Sequence, residues 1–324
     1  MKKKVLSYVF WAAVAAVLVY FCVRSIDWAL FLEVLGQCRW IWVLASMLMG
    51  VLVQVFRALR WQMLLRPLDP TVSFITCFNA YNICMVVNLA VPRAGELARM
   101  GIVAKDSSAG ADKTLGTIVV ERLWDVIFLL LAGGLMLLLK WEDFGLFITE
   151  AFSAGSAGSS VLWLVGGFTA ALLLLALLSW LLRSRGKFWA KIWGFVEGIG
   201  HGLVSFRQMK KGWLFVLYTF AIWALYWLMS AAIIWALQDL PAFADLGLAD
   251  ALFISIVGSL SSMVPVPGGF GAYHGMVAGA LTILWNMPIE TAMVYAVLNH
   301  ESQVLTQAVY GLASYIHESF IRRP

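Results

Sequence analysis

The chain has 324 residues, 62% hydrophobic and only 13% charged, with a mean hydropathy of +0.86 and a formal net charge of +5. Soluble domains carry roughly 45–50% apolar and about 25% charged residues, so these figures exclude a soluble enzyme or nucleic-acid-binding module and leave a polytopic membrane protein. The positive balance has meaning only loop by loop, because short loops rich in Lys and Arg stay in the cytoplasm.

Spanning the hydrocarbon core takes roughly 20 apolar residues. The first such run, 5–23, follows MKKK. No small-residue cleavage site follows it, so it is expected to be an uncleaved first span. The second run, 40–59, ends in FRALRW, where Arg57 and Arg60 are explained by snorkelling to the cytoplasmic interface. A less regular run, 71–91, is broken by VPRAGELARM (91–100). Further runs lie near 115–139, 161–182, 213–237 and 292–316, with a second irregular one at 249–285.

Charge decides how these runs connect. Lys and Arg concentrate in 1–4, 57–70, 92–114, 183–212 and 317–324, with seven in 183–212 alone. The connections 24–39, 140–160, 238–250 and 286–291 hold three between them. Both groups keep to one side each only if 71–91 enters from the cytoplasm and returns there before residue 115, turning near Asn88 to Gly95. The same parity makes 249–285 start and finish outside, turning at MVPVPGGFGAYHG (263–275).

The expected fold is therefore all-α: about six full spans plus two re-entrant, Pro/Gly-broken helical hairpins in an inverted-topology repeat. The single membrane domain divides into half-repeats 1–139 and 161–316, joined through 151–160, with 183–212 as a basic cytoplasmic loop. Both termini are expected in the cytoplasm, and the location is the inner (cytoplasmic) membrane. In transporters, interrupted segments of this kind meet near the midplane and build the binding site.

Broken helices survive in hydrocarbon only where protein buries them or they line a wet cavity. In VPRAGE, Pro92 removes a donor, Gly95 permits unusual dihedrals, and a helix starting there presents free amides that suit phosphate or carboxylate. Arg93 and Arg99 could grip that phosphate, with Glu96 beside them. An interfacial turn with both arginines snorkelling is the competing reading. In ERLWD, Glu121 and Asp125 share a helix face and Arg122 lies between them. Three readings stay open for these carboxylates: pairing with Arg93 or Arg99, binding a cationic head group, or carrying a proton.

Across the chain, Gly268, Gly269 and His274, between turn residues Pro265 and Pro267, complete the external hairpin. His300 and Glu301, about nine residues into the last span, could extend the polar cavity. His274 is read as a helix-end hydrogen-bonder. Four scattered histidines and four cysteines without CxxC spacing indicate no metal site. No phosphate loop, GxSxG elbow, HExxH or dinucleotide fingerprint occurs, so neither a cofactor nor catalysis is expected.

RALRW (57–61), VPRAGELAR (91–99), ERLWD (121–125) and PVPGGFGAYHG (265–275), in that order, resemble the lysylphosphatidylglycerol synthase transmembrane region, a flippase-like family of integral membrane proteins. The resemblance implies movement of a lipid between leaflets, in the best-known members an aminoacylated phosphatidylglycerol. Those members carry a further synthase domain. This chain stops at Pro324, so synthesis is not expected of it. His300 and Glu301 stand where the family often has a basic residue, so the resemblance does not carry the same head group over to this chain. The leading expectation is translocation of a phospholipid or polyprenyl-phosphate-linked lipid. The alternative is a non-transporting membrane partner that docks a lipid synthase or glycosyltransferase through 183–212.

Overall fold

The computed structural model describes residues 27–106, 110–142, 145–146, 211–262, 264 and 266–321. The expected spans at 5–23 and 161–182, and nearly all of the basic loop, lie outside them. Among the described residues the chain is helical, with no strand: α1 (Trp28–Gly36), α2 (Trp40–Leu65), α3 (Phe74–Ala90), α4 (Ala94–Asp106), α5 (Gly110–Leu139), α6 (Gly212–Ala236), α7 (Leu248–Ser261), α8 (Ala272–Trp285) and α9 (Ile289–Ile316). Among the described residues three helical stretches are long and apolar enough to cross a membrane: Trp40–Leu65, Lys113–Leu139 and Gly212–Ala236. Helix α9 has 28 residues but is more polar, while α3 and α7 are shorter apolar helices.

Local chemistry sets the helix starts. Asp27 caps α1, its Oδ1 accepting from the amides of Ala29 and Leu30. Ser73 caps α3 through the Thr76 amide. Both supply an acceptor to amides that have no partner in a first turn.

Contacts at the helix ends sort the bundle into two poles. At one pole Trp61 of α2 donates to Thr117 of α5 at 3.0 Å, and Arg60 donates to Thr219 of α6 at 3.2 Å. The end of α3 at this pole is held by Asn79, which meets His317 and Glu318 beyond α9. At the other pole Arg39 pairs with Asp239, Lys140 with Asp250, and the Asp27 amide with Glu290. Helix α2 therefore ends, and α5 begins, at the same pole, so α3 and α4 leave and return there. Helices α7 and α8 do the same from the opposite pole.

The tips of the two hairpins meet. Arg93, at the turn between α3 and α4, donates to the carbonyl of Ser262 at the end of α7 at 3.4 Å. Leu89 packs on Gly268, in the turn Pro267–Gly269. Among the described residues there is thus one hairpin from each pole, and the described ends of the connections 24–39, 140–160, 238–250 and 286–291 meet at one of them.

Gly95 sets how closely α3 and α4 approach. A Cβ there would stand 2.1 Å from the carbonyl oxygen of Cys84 and 2.8 Å from the Asn88 side chain. Gly95→Ala is expected to cost about 1–3 kcal/mol, because one methyl must push two backbones apart. Gly101→Ala, on the same helix with nothing within 4 Å, serves as the control and is expected to leave stability unchanged or slightly raised. Thermal unfolding of both variants in one detergent checks the difference.

Elsewhere Gly50 admits Gln303 of α9 against α2, and Gly311 admits Val86 of α3. Close approach at small residues is how membrane helices gain contact, since lipid supplies little drive for apolar side chains to associate. Among the described residues two main apolar cores result, beside a small third cluster of Val53, Ile222 and Met229. The larger joins α6 to α9 with α1 and centres on Ile233, Phe253 and Tyr295; the smaller surrounds Trp61, Leu65 and Phe215.

Candidate polar site beside the hairpin tips

Seven ionisable side chains from three helices form a connected cluster near the smaller core. Helix α5 contributes Glu121, Arg122 and Asp125, α2 contributes Arg57 and Arg60, and α4 contributes Glu96 and Arg99. The spacings i, i+3 and i, i+4 put each helix's set on one face. Nη1 of Arg99 reaches both oxygens of Glu121, at 3.3 and 3.2 Å. Nη2 of Arg60 lies 2.8 Å from Asp125 and 3.5 Å from Glu121. Arg57 stands 3.2 Å from Asp125 and 3.8 Å from Glu121. Arg122 bridges Asp125 at 3.2 Å and Glu96 at 3.3 Å.

Aromatic faces complete the enclosure. The Arg99 guanidinium lies 4.6 Å from the ring centroid of Trp61 and 5.5 Å from that of Tyr81. Arg57 sits near the rings of Tyr81 and Tyr226 and donates to the Tyr226 hydroxyl at 3.0 Å. Nε and Nη2 of Arg99 have no hydrogen-bond partner among the described residues. A ring quadrupole offsets part of that positive charge. The side chains of Arg60, Arg99 and Glu121 are wholly enclosed, whereas Arg122 and Glu96 are 35% and 21% exposed. Four guanidinium groups face three carboxylates, which leaves one positive charge in excess.

The arrangement contains the pairing that one of the three sequence readings expected. Glu121 pairs with Arg99. Arg93 stays outside the cluster, exposed at the hairpin tip with φ +65°, a backbone region seldom used by residues other than glycine. Snorkelling fails for Arg57 and Arg60: both are buried and bind the carboxylates of α5. The Gly95 amide, expected to be free for a phosphate, donates to Oδ1 of Asn88 at 2.8 Å. Pro92 lies in the turn between α3 and α4. Pro267 is buried at the start of the opposing turn, where Gly268 and Gly269 have φ of +59° and +77°. Pro265 lies outside the described residues.

A second polar group forms under that opposing turn. Nε2 of His300 lies 2.9 Å from the Gly268 carbonyl, and its Nδ1 lies 2.9 Å from Glu301. His274 approaches the same Glu301 oxygen at 3.2 Å. The spacing of histidines in the sequence indicated no such cluster, yet the ligand atoms of His274, His300 and Glu301 fall within 4.8 Å of one another. Residues 274 and 300 lie on different helices, and only the packing of α8 on α9 brings them together. Tyr273 and Asn299, joined by a 2.7 Å hydrogen bond, flank the group and were not singled out by sequence; a buried Asn amid apolar residues was the available signal.

Comparison with protein families matches residues 8–311 to the model described as Lysylphosphatidylglycerol synthase TM region. No curated protein and no solved structure gives a match.

Proposed function

Because the chain belongs to the lysylphosphatidylglycerol synthase TM region family, a family of lipid-related membrane proteins, we propose that it is a flippase-like translocator that moves an anionic lipid head group between leaflets. The observation that carries this reading is the meeting of two hairpins from opposite poles, with Arg93 at the junction and the partly open Arg122 and Glu96 beside one of them. We read the hairpins as re-entrant and the two halves as an inverted-topology repeat in the cell's inner membrane, with both termini cytoplasmic. Broken helices that meet inside a bundle are the usual way a transporter exposes polar backbone to a substrate.

The buried arginines are already matched to carboxylates, so the phosphate contact falls to Arg93, with Arg122 and Glu96 adjusting charge at the rim. A phospholipid and a polyprenyl phosphate share that chemistry. Moving either requires no bond to be made or broken, so the protein is read as a carrier and not an enzyme; a lipid-synthesising enzyme is the natural source of its substrate.

Arg93→Gly is the informative variant, since its positive φ suits glycine and the side chain leaves without a backbone cost. One charge-assisted hydrogen bond contributes about 1.5–3 kcal/mol, so translocation of a fluorescent anionic phospholipid or polyprenyl phosphate in proteoliposomes is expected to slow roughly tenfold or more. Thermal stability is expected to stay level. If wild-type vesicles scramble neither lipid faster than protein-free ones, the translocator reading is wrong.

A further inference from the structure

The hydrogen bonds under the Pro267–Gly269 turn need one hydrogen more than neutral rings and a carboxylate provide. The Gly271 amide donates to Nδ1 of His274 at 3.4 Å, so a neutral His274 carries its hydrogen on Nε2, directed at Oε1 of Glu301 3.2 Å away. Nε2 of His300 faces the Gly268 carbonyl at 2.9 Å. A carbonyl oxygen only accepts, so that nitrogen carries hydrogen too. Nδ1 of His300 then faces Oε1 of Glu301 at 2.9 Å. With a neutral ring and an ionised carboxylate, lone pair would oppose lone pair at hydrogen-bonding distance. A single proton between Nδ1 and Oε1 resolves the conflict and leaves the pair without excess charge.

We propose that His300 and Glu301 jointly bind one exchangeable proton, and that this proton is the coupling ion of the translocator. The second clause rests on the function proposed above; the first does not. When the proton leaves, acceptor faces acceptor and the pair becomes anionic, so the 2.9 Å contact breaks, either by the more exposed Glu301 turning away or by His300 leaving Gly268. The second movement would loosen the junction of the two tips, because that turn carries Leu89 of the opposite hairpin.

The groups around the pair come from every packed element, with Arg93 of the opposite hairpin at the adjoining tip. From α8 come His274 and Tyr273, whose rings lie 5.0 and 4.9 Å from that of His300. The turn adds Phe270 at 5.4 Å. Helix α6 reaches the region through Ser230 to Asn299, α2 through Ser46 to Gln303, and α3 through Leu89 on Gly268 and Val86 on Gly311. Among the described residues the nearest charge toward α1 is Glu290, beside Asp27 and eleven residues up α9, about 16 Å away. Beyond the other end of α9, His317 and Glu318 are engaged with Asn79. A divalent cation fits the trio less well. Coordination through Nε2 of His274 would need hydrogen on Nδ1, where the Gly271 amide already points.

The test reads protonation directly. In protein with 15N-labelled histidine in lipid bilayers, the His300 ring, assigned by its loss in His300→Gln, is expected at pH 7 to show hydrogen on Nε2 and a second hydrogen on or shared with Nδ1. Glu301→Gln is expected to abolish the second. A His300 ring with a bare Nδ1 from pH 6 to 8, or stoichiometric zinc uptake by the trio, overturns the proton site. In proteoliposomes, translocation is expected to change by up to about tenfold per pH unit, the limit for one proton, and Glu301→Gln is expected to flatten the profile. Wild-type transport that ignores pH overturns the coupling role while leaving translocation standing. Absence of transport overturns the translocator reading and with it the coupling role, while the ring signals still decide the proton site.

Discussion

Replacing Glu121 with Ala is expected to cost about 3–5 kcal/mol of fold stability, the usual penalty when one member of a buried ion pair is removed. Its side chain is wholly enclosed and meets Arg99 through both oxygens and Arg60 at 3.5 Å. After the change four guanidinium groups share two carboxylates. Arg99, itself enclosed, keeps only the ring faces of Trp61 and Tyr81. Glu121→Gln preserves shape and an acceptor oxygen, so a smaller loss is expected. The paired change Arg99→Met with Glu121→Leu is expected to recover much of the deficit, since apolar replacements of similar volume remove the orphaned charge along with its partner. Recovery of monodisperse protein after graded heating in detergent measures all three. A loss under about 1 kcal/mol for Glu121→Ala would mean that water reaches these arginines and that the enclosure is wrong.

Trp61→Ala is the second large effect, about 3 kcal/mol or more. In a soluble core most of that loss would be transfer of the ring to water, but a membrane helix is compared with a state already in lipid. What remains is specific to this site: a cavity between α2 and α5, Thr117 without its 3.0 Å partner, and a buried Arg99 without the ring 4.6 Å from its guanidinium. Trp61→Phe keeps a ring face and loses the indole N–H, so about 1 kcal/mol is expected. Equal losses for the two variants would show that the hydrogen bond to Thr117, and not the ring face against Arg99, carries the effect.

Much of this organisation was legible in the sequence because it depends on one-dimensional quantities. Apolar run length places α2, α5 and α6, and breakers at Pro92 and Pro267 mark turns that the structure shows as helix ends. Loop charge grouped connections whose ends meet at the same pole, as Arg39 does with Asp239 and Lys140 with Asp250. The cost of an ionised carboxylate in hydrocarbon made pairing of Glu121 with Arg93 or Arg99 one of three readings, and the structure shows Arg99.

What failed needed a second helix to be known. Position along α2 indicates how deep Arg57 and Arg60 lie, but not whether that face meets lipid or protein, so snorkelling was the natural reading of residues that in fact bind Asp125. The Gly95 amide looked free because Asn88, seven residues earlier, folds back onto it only once the hairpin has closed. His274 and His300 come together through the packing of α8 on α9, which no spacing rule encodes.

The chain order of the buried cluster has a bearing on how the protein is made. Arg57, Arg60 and Arg99 all emerge from the ribosome before Glu121 and Asp125, the carboxylates that neutralise them. Until that later helix is delivered, the earlier segments hold three guanidinium groups lacking those two counter-ions and have reason to linger at the lipid surface or inside the insertion machinery. Packing of α2 against α4 thus waits on synthesis of α5, whose carboxylates join them.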